Sequence, residues 1–154
     1  RGQQSVDLAG IVGGVAQLTE PLMQAKNLDL NVQCESGPPI IADPTRIRQI
    51  LFNLIGNALR YTDTGSVTIS SCITDHGAEI VIEDTGIGLD EADRARLFER
   101  LYRGTRARAM RPSGTGLGLA IAIWIVESNA GMINLDDRDR GGTVATVVLP
   151  IRAP

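Results

Sequence analysis

"DPTRIRQILFNLIGNALRYT", residues 43–62, begins with a helix-capping residue and ends where its apolar periodicity stops. Asp43 suits the N-cap, and Pro44 takes the first helical position, where a missing N–H costs nothing. Ile47, Ile50, Leu51, Leu54, Ala58 and Tyr61 recur at helical spacing and predict a buried stripe. Beside it Arg46, Gln49, Asn53, Asn57 and Arg60 follow one another at steps of three and four residues. A solvated face is the ordinary reading of such a row. It would normally be built from Glu and Lys, whereas interior asparagine costs about 0.5 kcal/mol relative to alanine and an interior glycine such as Gly56 about 1 kcal/mol. The competing reading is a ligand-facing strip. A neutral amide oxygen suits a hard cation such as Mg2+, and Arg60, one turn on, could neutralise phosphate.

Outward from this helix, residues 5–26 read as a short strand followed by a helix. Leu8, Ile11, Val15, Leu18 and Leu22 form its expected stripe, and Pro21 is an expected kink or irregularity. "LDLNVQC" alternates as a half-buried strand, and "SGPP" breaks the chain. "GSVTISSCIT", a turn at "DHG" and "AEIVIED" predict an antiparallel hairpin, and "MINLDD", "RDRGG" and "TVATVVLP" predict another. Between the hairpins lies a charge-rich stretch, residues 90–113, that reads as a mobile flap. An apolar helix follows Gly116 and ends near Asn129, Ala130 and Gly131, with glycine as a plausible C-cap. The order predicts an α+β domain, helices on one face of a mostly antiparallel sheet.

Two further clusters could carry chemistry. In "IVIEDTGIGL", Asp84 ends a buried-looking strand and is followed by Gly86 and Gly88. An ordinary Asp-Thr-Gly turn would look the same. A carboxylate there could also accept a hydrogen bond from an exocyclic amine such as that of adenine, with the glycines letting a base lie against the backbone. In "PSGTGLGLAIAIW", Gly114, Gly116 and Gly118 alternate at the start of the apolar helix. The spacing is not the G-x-G-x-x-G of a dinucleotide fold, but free N–H groups at a helix start still favour an anion. Five arginines (100, 103, 106, 108 and 111) precede it, placed as a basic flap over polyphosphate would be.

Bulk composition narrows the alternatives. The 154 residues fit one domain, and a net charge of −3 gives no general reason to expect nucleic acid. No apolar run reaches the ~18 residues of a membrane span and no leader-like segment opens the sequence, so a cytoplasmic domain is expected. Cys34 and Cys72 have no CxxC partner and read as reduced thiols. Lys26 is the sole lysine and stands in neither a P-loop nor a kinase strand context, which argues against both phosphate-handling plans. His76 is the sole histidine, in a turn, so a multi-histidine metal site cannot form within the chain.

Taken together, the ordered set resembles the catalytic ATP-binding domain of sensor histidine kinases. "NLIGNALRY" is similar to the family's N box, "DTGIGL" to its first glycine box, "LFERLYR" to its F box and "GTGLGLAI" to its second glycine box. The resemblance implies a two-layer α/β sandwich of the Bergerat type, helices on one face of a mixed, mostly antiparallel sheet. It implies ATP and Mg2+ as cofactors, with Asn57 on the metal and Asn53 supporting the nucleotide. Arg60 and Tyr61 would serve the phosphate and ribose side, Asp84 the adenine amino group, and Gly86 and Gly88 would flank the base. Phe98 and Arg103 would anchor the lid, with Arg103 a candidate phosphate contact. Gly114, Thr115, Gly116, Leu117, Gly118 and Leu119 would form the hinge and phosphate lining, and Thr143 would assist the adenine site. Departures from the pattern are Leu101 for a second phenylalanine, Asn129-Ala130 for a common His-Gly, and Ala145 for a frequent aromatic.

The implied partners are a phosphoacceptor dimerisation domain, expected to lie outside these residues, and a downstream response regulator. The domain alone is expected to be monomeric, and a membrane-anchored parent is left open. A gyrase- or chaperone-type ATPase, an anti-sigma serine kinase and a non-catalytic nucleotide sensor are the alternatives. The first would want a carboxylate where Asn53 stands, since an amide is no general base at neutral pH.

Overall fold

A computed structural model describes residues 2–86, 117–138 and 141–151. The elements are β1 (Gln4–Val6), α1 (Leu8–Ala25), β2 (Asp29–Cys34), β3 (Ile40–Ala42), α2 (Pro44–Tyr61), β4 (Ser66–Thr74), β5 (Gly77–Asp84), α3 (Leu117–Ser128), β6 (Met132–Asp137) and β7 (Thr143–Leu149). Five strands form the main sheet in the order β2-β4-β5-β7-β6, and β1 pairs with β3 in a separate two-stranded ribbon. β2 and β4 are parallel, because the chain between them crosses over through α2; the other neighbours are antiparallel. The sheet is therefore mixed, and the helices pack on it as the expected α+β sandwich.

Strand alternation explains the layering. The row Val32, Ile69, Ile82, Ala145 and Leu135 runs across all five strands in register. Apart from Val32 at the sheet edge, its members are buried, and so are Val67, Ile80 and Val147 in the neighbouring rows. Ala145 lies between Ile82 and Leu135 in this layer, so its small side chain belongs to the core beneath the helices. The opposite face of β4 carries Ser, Thr and Cys at partly exposed positions.

Helix α2 matches its expected bounds. The Asp43 carboxylate accepts from Thr45 N–H at 2.9 Å, and Ile47, Ile50, Leu51, Leu54, Ile55 and Ala58 are buried. Burying each large aliphatic side chain contributes about 1.5–3 kcal/mol. Lys26 Nζ donates to the Leu59 carbonyl and lies 3.9 Å from Asp63, tying the end of α1 to the last turn of α2. There a cation also complements the helix dipole.

Helix α1 departs from expectation in its buried face. Leu8, Val12, Val15, Ala16, Thr19 and Met23 are buried, while Leu18 and Leu22 remain 70% and 57% exposed. The helix presents two apolar ridges, and the one carrying Val12, Val15, Ala16 and Met23 is the one buried. Pro21 lies inside the helix without dividing it. α1 ends with Asn27 at φ 57, with Asn27 N–H bonding Gln24 O and Leu28 N–H bonding Met23 O, a Schellman closure.

Helix α3 ends in the same way, but its left-handed residue is Ala130 (φ 60) rather than the expected glycine. Gly131 is needed for space instead: a methyl there would lie 2.7 Å from the Val148 carbonyl oxygen. Ala120, Ala122, Ile123, Ile125 and Val126 of α3 are buried, and Trp124 between them is 42% exposed. Among the described residues no helix is long and apolar enough to cross a membrane.

Candidate nucleotide site

The site is organised around the end of β5. Alternation carries the inner face of the sheet through Ile80 and Ile82 to Asp84, so a carboxylate occupies the position of a core residue. Asp84 is only 5% exposed, with Val67 on one side in register and Thr143 on the other. Its Oδ1 accepts from Gly86 N–H at 3.0 Å. Burial pushes its pKa above the ordinary carboxylate range, opposed by backbone hydrogen bonds from Gly86 and Thr143, by the nearby Thr62 hydroxyl and by Arg138.

Three glycines let the backbone close around this carboxylate. A methyl on Gly86 would overlap the Tyr61 carbonyl oxygen at the end of α2. One on Gly142 would overlap the Asp84 carbonyl oxygen, and one on Gly65 the Thr85 hydroxyl. Gly65 and Gly142 also have φ of +106 and +104, a region that L side chains rarely adopt. Thr85 finishes the junction: its hydroxyl accepts from Ser66 N–H at 3.0 Å and donates to Thr64 O at 3.3 Å. The β6–β7 turn is held by Arg138, whose N–H bonds Gly142 O at 3.0 Å and whose Nε lies 2.8 Å from Glu83 Oε2. The last turn of α2, the end of β5 and the start of β7 thus meet at Asp84.

From this junction the polar strip runs back along α2. Tyr61, whose carbonyl abuts Gly86, is half-buried, as are Asn57 one turn earlier and Asn53 a turn before that. Asn53 donates to Gln49 O within its own helix at 2.7 Å, which leaves its side-chain oxygen free to accept. Among the described residues, the Asn57 side chain has no hydrogen-bond partner; Arg60 is exposed. No group of three or more His, Cys, Asp or Glu among the described residues could chelate a metal unaided. Neutral amide oxygens such as that of Asn57 could still contribute to a magnesium ion held mainly by nucleotide phosphates and water.

Of the expected site residues, Asp84, Gly86, Thr143 and Tyr61 come together, with Asn57, Asn53 and Arg60 along the adjoining helix. Leu117, Gly118 and Leu119 form the first turn of α3. Gly88, Phe98, Leu101, Arg103, Gly114, Thr115 and Gly116 lie outside the described residues. Thr62, Thr85, Gly65 and Gly142 were not expected in the site. The paired glycines before the last strand were the available signal for Gly142; the two threonines are undistinguished in sequence.

A family model for the histidine kinase-, DNA gyrase B- and HSP90-like ATPases matches residues 42–153. The chain belongs to that family, the one its motifs resemble. Its similar relatives are sensor kinases. The sensor histidine kinase CusS of Escherichia coli O157:H7 is 33% identical over 154 residues, covering 97% of this chain and 31% of CusS. The signal transduction histidine-protein kinase BarA of Escherichia coli K12 is 36% identical over 126 residues, 77% of this chain and 14% of BarA. Among solved structures, full-length ShkA in complex with AMPPNP superposes with a TM-score of 0.82 at 30% identity, covering 99% of this chain and 32% of ShkA. The nucleotide-free catalytic domain of the histidine kinase ThkA gives 0.81 at 25% identity, covering 97% of this chain and 96% of that domain. The chain thus spans less than a third of the curated relatives' length.

Proposed function

We propose that this chain is the catalytic domain of a sensor histidine kinase, which binds Mg-ATP and donates the γ-phosphoryl group to a histidine on a separate helical dimerisation domain. The observation that carries the nucleotide reading is the buried Asp84. An acceptor-only carboxylate, placed in the core layer and surrounded by close-packed glycine backbone, is suited to an amine-bearing base. Asn57 would hold the magnesium ion, which supplies charge neutralisation on the phosphates when bound. Asn53, Arg60 and Tyr61 lie along the same strip, and Arg103 with Gly114, Thr115, Gly116 and Gly118 would close over the phosphates. Gly88 would lie against the base.

Transfer breaks the bond between the β–γ bridging oxygen and the γ-phosphorus and forms a bond from phosphorus to an imidazole nitrogen, with ADP leaving. Such transfer depends on positioning and charge rather than covalent help from the protein. The acceptor is a histidine elsewhere: His76 is exposed in the tight β4–β5 turn, its backbone N–H bonded to Thr74 Oγ1. Asn53 also weighs against a hydrolase. An amide is no general base at neutral pH and could not activate water. A response regulator would receive the phosphoryl group from the acceptor domain, and a parent anchored in a membrane would leave this domain on the cytoplasmic side.

The test is to mix this chain with Mg-ATP and the helical domain of its parent. The expected product is acid-labile, alkali-stable phosphohistidine on the helical domain. Bound ATP without transfer, to a helical domain that accepts phosphate from another kinase domain, would replace this reading with a nucleotide sensor.

A further inference from the structure

Among the described residues two buried side-chain hydroxyls have no hydrogen-bond partner by distance and angle, those of Thr62 and Ser71. Their surroundings differ. Ser71 lies in the sheet between Cys34 and Ile80 in register. Thr62 is 0% exposed, directly after α2, and its Oγ1 would be 2.9 Å from a methyl on Gly86, the residue whose N–H holds Asp84. The default for a buried threonine is visible in Thr19, whose hydroxyl donates to Ala16 O at 3.0 Å. Thr62 makes no such bond to a carbonyl of its own helix; its hydroxyl instead stands beside the Asp84 carboxylate, whose pKa it lowers. The Gly86 and Thr143 N–H groups already donate to the Asp84 carboxylate, and the Thr62 hydroxyl is the side-chain donor beside them.

We infer that Thr62 is a positioning residue for base selection, its hydroxyl closing onto Asp84, directly or through one water, when the base amine engages the carboxylate. This rests on the reading of Asp84 as the base-recognising group. The carboxylate then receives four donors from fixed directions, the Gly86 and Thr143 N–H groups, the Thr62 O–H and the base. A base presenting a carbonyl in place of the amine would set two acceptors against each other. The hydroxyl reserved by Thr62 thus favours adenine over guanine without necessarily touching either.

Thr62→Val replaces the hydroxyl with a methyl of nearly the same shape. Titration of the chain with ATP and with GTP should show the preference for ATP reduced by roughly five- to tenfold, the worth of one hydrogen bond. The melting temperature without nucleotide should be maintained or raised, because an unpartnered polar atom has been removed. Thr62→Ser should restore the preference. A lowered melting temperature with equal weakening of both nucleotides would reassign Thr62 to packing alone and overturn the inference, as would an unchanged preference in Thr62→Val. Asp84→Asn, titrated in parallel, separates the two failures. If it abolishes the preference while Thr62→Val does not, only the role of Thr62 falls; if it leaves the preference intact, the base reading falls and Thr62 with it.

Discussion

The two halves of the nucleotide site are made differently. Around Asp84 the protein supplies its own partners: backbone donors, two close-packed glycine turns and the Arg138–Glu83 pair. Along α2 the side chains of Asn57 and Arg60 have no partners among the described residues, and Asn53 bonds only to its own helix. In the proposed site the base end is therefore held by contacts within the protein, whereas the phosphate end presents side chains that have no partner among the described residues. Preformed recognition concentrates stability effects at one end and leaves the other free to vary in binding alone.

The sharpest way to break that comparison is to disturb the base end through backbone. Gly141 and Gly142 are adjacent and both have positive φ, +95 and +104, yet only Gly142 lacks room for a methyl. Gly142→Ala should lower stability by about 3 kcal/mol, combining conformational strain with overpacking, and should weaken ATP binding as well. Gly141→Ala, with nothing within 4 Å, should cost about 1 kcal/mol. Urea unfolding of both variants checks the contrast, and similar losses would mean that the close approach to Asp84 does not matter.

Asp84→Asn should have a smaller effect on folding and one of opposite sign at neutral pH. The native carboxyl holds its proton more tightly than the unfolded chain does, so its contribution to stability is fully present below the ordinary value of 3.8. That contribution is lost as pH rises through the raised native pKa. The stability difference should therefore move in favour of the asparagine variant from about pH 4 upward and level off above the native value. Chemical denaturation of both proteins across this range measures it. A difference moving the other way would mean that hydrogen bonding outweighs burial at this carboxyl.

The mildest change belongs to the other half. Asn57→Ala should leave stability within about 0.5 kcal/mol, since alanine is the better helix former and no bond to a described residue is lost. Mg-ATP affinity should fall roughly tenfold, while binding of ATP in the presence of a chelator should change little. Calorimetry with and without magnesium tests this, and equal losses in both conditions would sever Asn57 from the metal.

These contrasts also explain what could be read from sequence. Asp43, Pro44 and the stripe from Ile47 to Ala58 act within one helix, so the bounds of α2 were legible, as was the odd presence of Asn53 and Asn57 on it. Asp84 stood out because a charge closed an apolar strand. The buried side of α1 was not legible, because Leu18 and Leu22 compete with Val12 and Met23 and only packing against the sheet chooses between them. β3, three residues after two prolines, carried too little pattern to be foreseen. Thr62 and Gly142 act through residues 22 and 58 positions away, Asp84 in both cases, and nothing local marks that.

Trp124 has a practical consequence. It is the sole indole of the chain, standing two-fifths out of the helix whose first turn holds Gly118. Its emission therefore comes from one place. The wavelength of that emission follows the polarity at the surface of α3, so the unlabelled protein can be watched by fluorescence as nucleotide is added.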